Sequence, residues 1–210
     1  DTDESQHLVT LSSPFYVGVF EITQAQWQQV MGDPPPSGGT LPATNVSWND
    51  VRGGAWPGGD RRPDADSFIG RMRARTGIPF DLPTEAQWEK ACRADTTTHV
   101  NTGDNLSDPR DDPAMDAAAC YAFNGGDPVD VGSYAPNDLN IYDMHGNVSE
   151  WVLDRYAPYE GPTTDPVGDP DAAERVVRGG SCLSPAADCR SGARTLPARD
   201  SNVEVRETNR

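Results

Sequence analysis

The segment Asn-Ile-Tyr-Asp-Met-His-Gly-Asn-Val-Ser-Glu-Trp at residues 140–151 constrains the fold more than any other stretch of this chain. Apolar and aromatic residues precede Gly146 and Asn147, and the carboxylate of Glu150 and the indole of Trp151 follow them. Gly146 permits a backbone conformation that is barred to other residues. Asn147 and Glu150 bring oxygen-bearing side chains to one small volume, as a hard cation requires. Taken alone, the segment predicts either a tight turn or a cation site.

Composition favours a domain built from ordered loops. The 210 residues suit one domain, with 35% hydrophobic residues, 20 Gly, 19 Pro and five Trp, which indicates loops held by buried rings. The net charge of −16 argues against a nucleic-acid partner, because phosphate binding requires a positive surface. No stretch of the sequence has the length and apolar character of a membrane span. We therefore expect neither nucleic acid nor a membrane span.

The four cysteines, Cys92, Cys120, Cys182 and Cys189, leave their chemistry open. Four cysteines allow three complete pairings, and the sequence does not choose among them. A zinc site is disfavoured, because no Cys-x2-Cys pair is present and the three His are scattered. Buried free thiols are the alternative to a disulfide bridge.

Two capping boxes mark the starts of helices. Thr23 with Gln26, and Thr84 with Gln87, each place a hydroxyl and an amide three residues apart, and Gly32 fits a C-terminal cap. We interpret the acidic residues of the second helix, Glu85 and Glu89, as structural or solvated rather than catalytic.

The remaining pattern is coarser. Ser47 is a candidate N-cap for a short helix, and the apolar spacing predicts a further helix that ends at Gly77. Residues 8–20 have the character of strands interrupted at Ser13-Pro14. His145 is interpreted as a turn residue. The stretches 33–43, 95–118 and 157–172 are rich in Pro, Gly and Asp and are predicted to be loops.

Six motifs in a fixed order carry a family resemblance. They are residues 15–18 (Phe-Tyr-Val-Gly), 21–27 (Glu-Ile-Thr-Gln-Ala-Gln-Trp), 45–48 (Asn-Val-Ser-Trp), 82–89 (Leu-Pro-Thr-Glu-Ala-Gln-Trp-Glu), 140–151 and 178–181 (Arg-Gly-Gly-Ser). The series resembles the sulfatase-modifying-factor family, which has the fold of the formylglycine-generating enzyme. The resemblance implies a single α+β domain over residues 1–210, C-type-lectin-like, with few regular elements and long ordered loops. Because the family's usual Gly-Phe-Arg strand is missing, we expect a fragment of a longer chain.

The resemblance also implies a structural Ca2+ at the glycine-asparagine segment. Its ligands would be backbone carbonyls and the side chains of Asn147 and Glu150, within the set Gly146, Asn147, Val148 and Glu150. The departure is Ser149, where the family often has Trp, and this change affects packing more than ligation.

The family's oxidase chemistry requires two cysteines that hold Cu+ for a substrate thiol. In the family this pair follows the Arg-Gly-Gly-Ser motif as Cys-x4-Cys. Here Cys182 and Cys189 have the spacing Cys-x6-Cys, and neither falls naturally on a copper position. A copper-dependent oxidase that converts a substrate cysteine to formylglycine is therefore the alternative function, and we assign no catalytic residue.

The same fold serves non-catalytic relatives, such as the variable proteins of diversity-generating retroelements and receptor-like modules attached to bacterial kinases or caspase-like proteases. In these relatives the segment after the Arg-Gly-Gly-Ser motif forms the recognition face. The resemblance therefore favours a ligand-recognition module for a protein or a small molecule, fused to or neighbouring a kinase or protease module. The predicted ligand-binding residues are Arg190, Ser191, Arg194, Arg199, Asp200, Asn202, Glu204 and Arg206.

Overall fold

A computed structural model describes residues 4–32, 39–54 and 56–196, together with the backbone of two short strands at 203–204 and 208–209. The helices are α1 (Gln24–Met31), α2 (Trp48–Val51), α3 (Phe68–Thr76), α4 (Glu85–Arg93), α5 (Pro113–Ala118) and a 3-10 helix at Ala186–Cys189. The strands are β1 (Val9–Thr10), β2 (Tyr16–Val17), β3 (Phe80–Asp81), β4 (Ser149–Arg155), β5 (Thr163–Thr164), β6 (Arg175–Arg178), β7 (Val203–Glu204) and β8 (Thr208–Asn209). Short elements joined by long ordered loops make an α+β domain, as the sequence predicts.

The helix starts confirm the capping analysis. The side chains of Thr23 and Thr84 each accept a hydrogen bond from the backbone N–H of the third helical residue, and the side-chain oxygen of the Gln at that position accepts one from the cap backbone N–H. Ser47 caps α2 in the same way. Gly32 and Gly77 end α1 and α3 in the left-handed conformation, with φ of 89° and 71°.

Three small sheets organise the loops. The central sheet has the order β6-β4-β7, in which β4 is antiparallel to β6 and parallel to β7. A second sheet has the order β2-β8-β3, and β1 pairs with β5 in parallel. β4 is buried along almost its whole length, so this strand runs through the interior of the domain.

Aromatic residues fill the core between the helices and the central sheet. The largest cluster joins α1, α2 and α3 to β4 and includes Trp48, Trp56, Phe68 and Trp151. A second cluster packs Trp88 of α4 against the apolar residues of β4 and β6. Loops therefore gain their order from rings buried beneath them, as the composition predicts.

Two elements correct the sequence-based reading of loops. Residues 95–118 contain α5, which begins because Asp112 caps it and Pro113 occupies its first position. Residues 157–172 contain β5, whose two threonines pair with β1 far away in the sequence. Within the ranges described above, no helix is long and apolar enough to cross a membrane.

Candidate functional site

The glycine-asparagine segment forms a closed, hydrogen-bonded turn. Gly146 has a φ of 67°, and a Cβ there would lie 2.0 Å from the carbonyl oxygen of Cys120, so only glycine fits. The Asn147 amide donates to Glu21 Oε2 at 2.6 Å, and its Oδ1 accepts from the Val129 N–H at 2.9 Å. We call Glu21, Val129, Asn147 and Val148 the Asn147 cluster. This cluster ties the turn to the segment before α1.

The predicted Ca2+ ligands are chemically suitable oxygens that already accept hydrogen bonds. Glu150 is fully buried, and its Oε2 accepts from Trp88 Nε1 at 2.9 Å. The Asn147 carbonyl accepts from the Cys182 N–H at 2.8 Å. In the part of the chain that the structure describes, no group of three or more His, Cys, Asp and Glu side chains is arranged to hold a metal ion. The Ca2+ site at Gly146, Asn147, Val148 and Glu150 therefore stays a prediction.

All four cysteines are free and buried. Cys182 Sγ points at the Gly126 carbonyl at 3.7 Å, and Cys189 Sγ points at the Ser181 carbonyl at 4.0 Å. Burial raises the pKa of Cys182 to about 11 and that of Cys189 to about 12, so both remain thiols at neutral pH. Soft metals bind the thiolate, so Cu+ would have to displace the proton of each thiol that it bound.

His145 is a structural residue of the interior. Its Nδ1 lies 2.6 Å from the Cys189 carbonyl and must donate, while its Nε2 accepts from the Asn101 N–H at 3.1 Å. Burial lowers the pKa of His145 to about 4, so the ring stays neutral.

A wide groove of about 1630 Å³ lies in the described part of the molecule. Its walls are residues 4–11, the exposed side of α4, residues 95–99 and residues 157–169. Arg190, Gly192 and Arg194, from the segment after the Arg-Gly-Gly-Ser motif, also line it. The cysteines do not line this groove among the residues described.

Ion pairs form the floor beneath this groove. Arg194 binds Glu85 with two hydrogen bonds, Nε to Oε1 at 2.7 Å and Nη2 to Oε2 at 3.0 Å. Arg178 is fully buried and contacts Glu85 at 3.3 Å and Glu89 at 2.7 Å. We call Glu85, Glu89, Asp154, Arg178 and Arg194 the groove floor. Its charges are held in place before any ligand arrives.

Two tyrosines hold Arg194 in position. The guanidinium lies 4.6 Å from the ring centre of Tyr156 and 4.1 Å from that of Tyr159. The other neighbour of Tyr159 is His7, with ring centres 4.3 Å apart. The N-terminal segment and the loop after β4 therefore meet over Arg194.

Asp154 is the carboxylate of the floor that sequence reasoning missed. It is 3% exposed at the end of β4, and its Oδ2 accepts the N–H of Glu85, the first residue of α4, at 2.7 Å. Burial, and then the charge of Glu85, raise the pKa of Asp154 to about 8, although Arg194 and Arg178 lower it. A sequence signal existed, because an acidic residue directly follows the apolar run Trp-Val-Leu at 151–153.

The structure separates the eight predicted ligand-binding residues. Arg190 and Arg194 line the groove, and Arg190 pairs with Glu4 at 2.9 Å. Ser191 is fully buried and donates to the His99 carbonyl at 3.2 Å, so it faces the interior and not a ligand. The backbone of Glu204 lies in β7. The side chain of Glu204, and Arg199, Asp200, Asn202 and Arg206, lie outside the described residues.

Comparison with known proteins assigns the family. A match to the family described as the sulfatase-modifying factor enzyme 1-like domain spans residues 1–204. The formylglycine-generating enzyme of Streptomyces coelicolor is 32% identical over 178 residues, which are 77% of this chain and 48% of the enzyme. The chain thus spans about half the length of that enzyme. The chaperone protein LppX of Paenibacillus barcinonensis is 28% identical over 215 residues, covering 84% of this chain and 71% of that protein.

A kinase and a solved structure extend the comparison. The serine/threonine-protein kinase Pkn1 of Chlamydia trachomatis is 33% identical over 119 residues, which are 54% of this chain and 18% of the kinase. Variable protein 1 of Treponema denticola superposes with a TM-score of 0.80 and 24% identity, covering 100% of this chain and 89% of that one. The chain therefore belongs to the sulfatase-modifying factor enzyme 1-like domain family and has its C-type-lectin-like α+β fold.

Proposed function

We propose that this domain is a ligand-recognition module and that the groove above α4 is its binding site. The observation that carries the proposal is the preformed floor, in which Arg194 and Glu85 are locked together beneath an open concavity. Binding sites are typically concave and largely formed before the ligand arrives, with a few polar groups that fix orientation. Loops on a rigid scaffold can change their side chains without disturbing the core.

The segment after the Arg-Gly-Gly-Ser motif contributes to this groove. Arg190 and Arg194 line it together with residues 157–163 and 166–169. The proposed binding site therefore includes part of the segment that the family resemblance favours. It is a groove with a charged floor and not an exposed loop face.

The copper-oxidase alternative has less support. Cys182 and Cys189 are buried thiols with raised pKa values, and neither lies in the described lining of the groove. We expect Cu+ titration of the reduced protein to give no site that depends on them. Loss of a tight Cu+ site in Cys182→Ser or Cys189→Ser would favour the oxidase instead.

The kinase match supports a modular role. A region similar to this chain is part of Pkn1 of Chlamydia trachomatis. We propose that this domain likewise serves a larger protein as its recognition part, as in receptor-like modules and the variable proteins of retroelements.

A steric block tests the proposal. Gly192 lines the groove with an ordinary φ, and the neighbours of an added Cβ are the ends of the flexible side chains of Arg93 and Glu4, at 3.3 and 3.5 Å. Gly192→Trp would therefore fill the groove. Gly58→Trp is the matched control, because nothing lies within 4 Å of a Cβ at that exposed position outside the groove.

The readout is binding of peptides selected from a displayed random library, with a small-molecule panel measured alongside by thermal shift. We expect the binders to lose at least tenfold in affinity for Gly192→Trp and to retain it for Gly58→Trp. Binders that ignore the groove-filling tryptophan, or screens that yield no groove-dependent binder, would contradict the proposal.

A further inference from the structure

The groove has more carboxylates than the protein itself neutralises. Its described lining includes seven acidic residues, namely Glu4, Glu85, Glu89, Asp95, Asp154, Glu160 and Asp169. The same lining includes five basic residues, namely Lys90, Arg93, Arg155, Arg190 and Arg194. The acidic excess lies around one concavity and is therefore local.

Every basic residue of this lining is already engaged. Four make ion pairs within the groove: Arg190 with Glu4, Arg194 with Glu85, Arg93 with Glu89, and Lys90 with Asp95. The fifth, Arg155, donates to the carbonyls of Trp56 and Ala172. The lining thus has no described cation left over for a further carboxylate.

Three carboxylates have no cation within ion-pair distance among the described residues. Asp154 lies buried at the floor, whereas Glu160 is exposed between β4 and β5 and Asp169 is exposed between β5 and β6. Asp154 matters most, because a buried carboxylate without a close counter-ion is costly. Its one described hydrogen bond comes from the backbone of Glu85 and carries no full positive charge.

We propose that the groove takes an organic cation, an ammonium or guanidinium group, with Asp154 as its counter-ion and Glu160 and Asp169 at the rim. This inference rests on the proposed recognition function and specifies the class of ligand. A cation at Asp154 would take the place of the proton that this buried carboxyl otherwise holds. The acidic rim attracts cations to the entrance by long-range electrostatics.

Protonation of Asp154 gives the inference a specific signature. Glu85 from α4, Arg175 and Arg178 from β6, and Arg194 from the following loop are the charged groups that act on this carboxyl. Their balance and burial raise the pKa of Asp154 to about 8. A cation must displace that proton, so affinity should fall about tenfold for each pH unit below this pKa.

The experiment uses acetylated and amidated tripeptides Gly-X-Gly as probes, in which X is Arg or Lys. Neutral analogues, citrulline and acetyl-lysine, are the matched controls, and X as Glu is the opposite-charge control. Isothermal titration at pH 9, pH 7 and pH 6, in two buffers of different ionisation enthalpy at each pH, measures affinity and proton release together.

We expect the Arg or Lys probe to bind at pH 9, to weaken at least tenfold at pH 6 and to release a proton at pH 7. The neutral and Glu probes should bind at least tenfold more weakly. Asp154→Asn preserves the shape of the side chain and should remove both the affinity and the pH dependence. Gly192→Trp should remove binding as well.

Two exposed residues provide a test that does not risk the fold. The double variant Glu160→Gln with Asp169→Asn should weaken the cationic probe about two- to fourfold at low salt and have little effect in 0.5 M NaCl. Equal binding of charged and neutral probes, or no binding of either cation, would overturn the cation inference. A library binder that Gly192→Trp blocks and Asp154→Asn leaves unchanged would overturn it too, while leaving the proposed recognition function intact.

Discussion

The Asn147 cluster and the groove floor are two buried polar regions that differ in what their acidic residues contact. In the Asn147 cluster, the carboxylate of Glu21 meets an amide and a backbone N–H, and the turn closes over them. In the groove floor, guanidinium groups meet carboxylates, and Asp154 is left beside an open concavity. Buried acidic residues thus fix a turn in one part of the domain and lie beneath the groove that we propose as a binding site in another.

The largest expected effect comes from removing the central cation of the groove floor. Arg178→Ala should destabilise the protein by about 3–5 kcal/mol, because it removes a buried cation from the buried Glu85 and the partly exposed Glu89 and leaves a cavity beside them. Urea unfolding measures the change. The control is Arg190→Ala, whose half-buried pair with Glu4 should contribute about 1 kcal/mol or less. Similar losses for both variants would show that the floor has no special role.

The pH dependence of stability separates the two regions next. Because the folded-state pKa of Asp154 is raised above its ordinary value, its folded form holds a proton that the unfolded chain has lost. Stability should therefore fall as pH rises through the window between about 4 and 8, and between pH 6 and pH 7 the fall should be about 1.4 kcal/mol. Asp154→Asn should abolish this slope. Thermal unfolding at several pH values measures it, and an unchanged slope would place the titrating group elsewhere.

Truncation of the amide tests the closed turn. Asn147→Ala removes the donor to Glu21 and the acceptor for Val129, so it should cost about 2 kcal/mol at any pH between 6 and 9. Chemical denaturation at pH 6 and pH 9 gives the comparison. A strong pH dependence of this loss between pH 6 and pH 9 would mean that Glu21 titrates in that range. The Asn147 cluster would then not differ from the groove floor in its response to pH.

Chelation gives the smallest expected effect and decides whether the turn also holds an ion. If Ca2+ binds at Gly146, Asn147, Val148 and Glu150, EGTA should lower the melting temperature by a few degrees, because an ion held only by the folded state stabilises it. At free Ca2+ of ten times the dissociation constant the effect is about 1.4 kcal/mol. Asn147→Ala should remove the response to EGTA. An unchanged melting temperature in the wild type would leave hydrogen bonds as the only support of the turn.

Sequence alone predicted the features that local chemistry determines. The caps at Thr23, Ser47 and Thr84 follow from residues within one helical turn, and the structure confirms each of them. The family motifs gave the fold, because their order and spacing reflect one packing arrangement.

The candidate site was harder to predict from the sequence, because the residues that contact one another in it lie far apart along the chain. Arg194 is separated from Glu85 by 109 positions, and Ser191 from His99 by 92. An Arg-rich segment after β6 was therefore expected to face solvent, whereas long-range pairing buries Ser191 and much of Arg194. The pKa of Asp154 likewise depends on burial and on Glu85, which no local pattern encodes.

The pairing of β1 with β5 has a consequence for how the groove opens. Thr163 and Asp165 donate backbone hydrogen bonds to Leu8 and Thr10, and Ser12 adds two to the Asp165 carboxylate. Three of the four residues in these strands are exposed, so little apolar surface secures this wall. Such a seam separates at far lower free energy than the aromatic core melts. Under the proposed recognition function, a ligand wider than the groove would enter by separating these two strands, while the core beneath them stays folded.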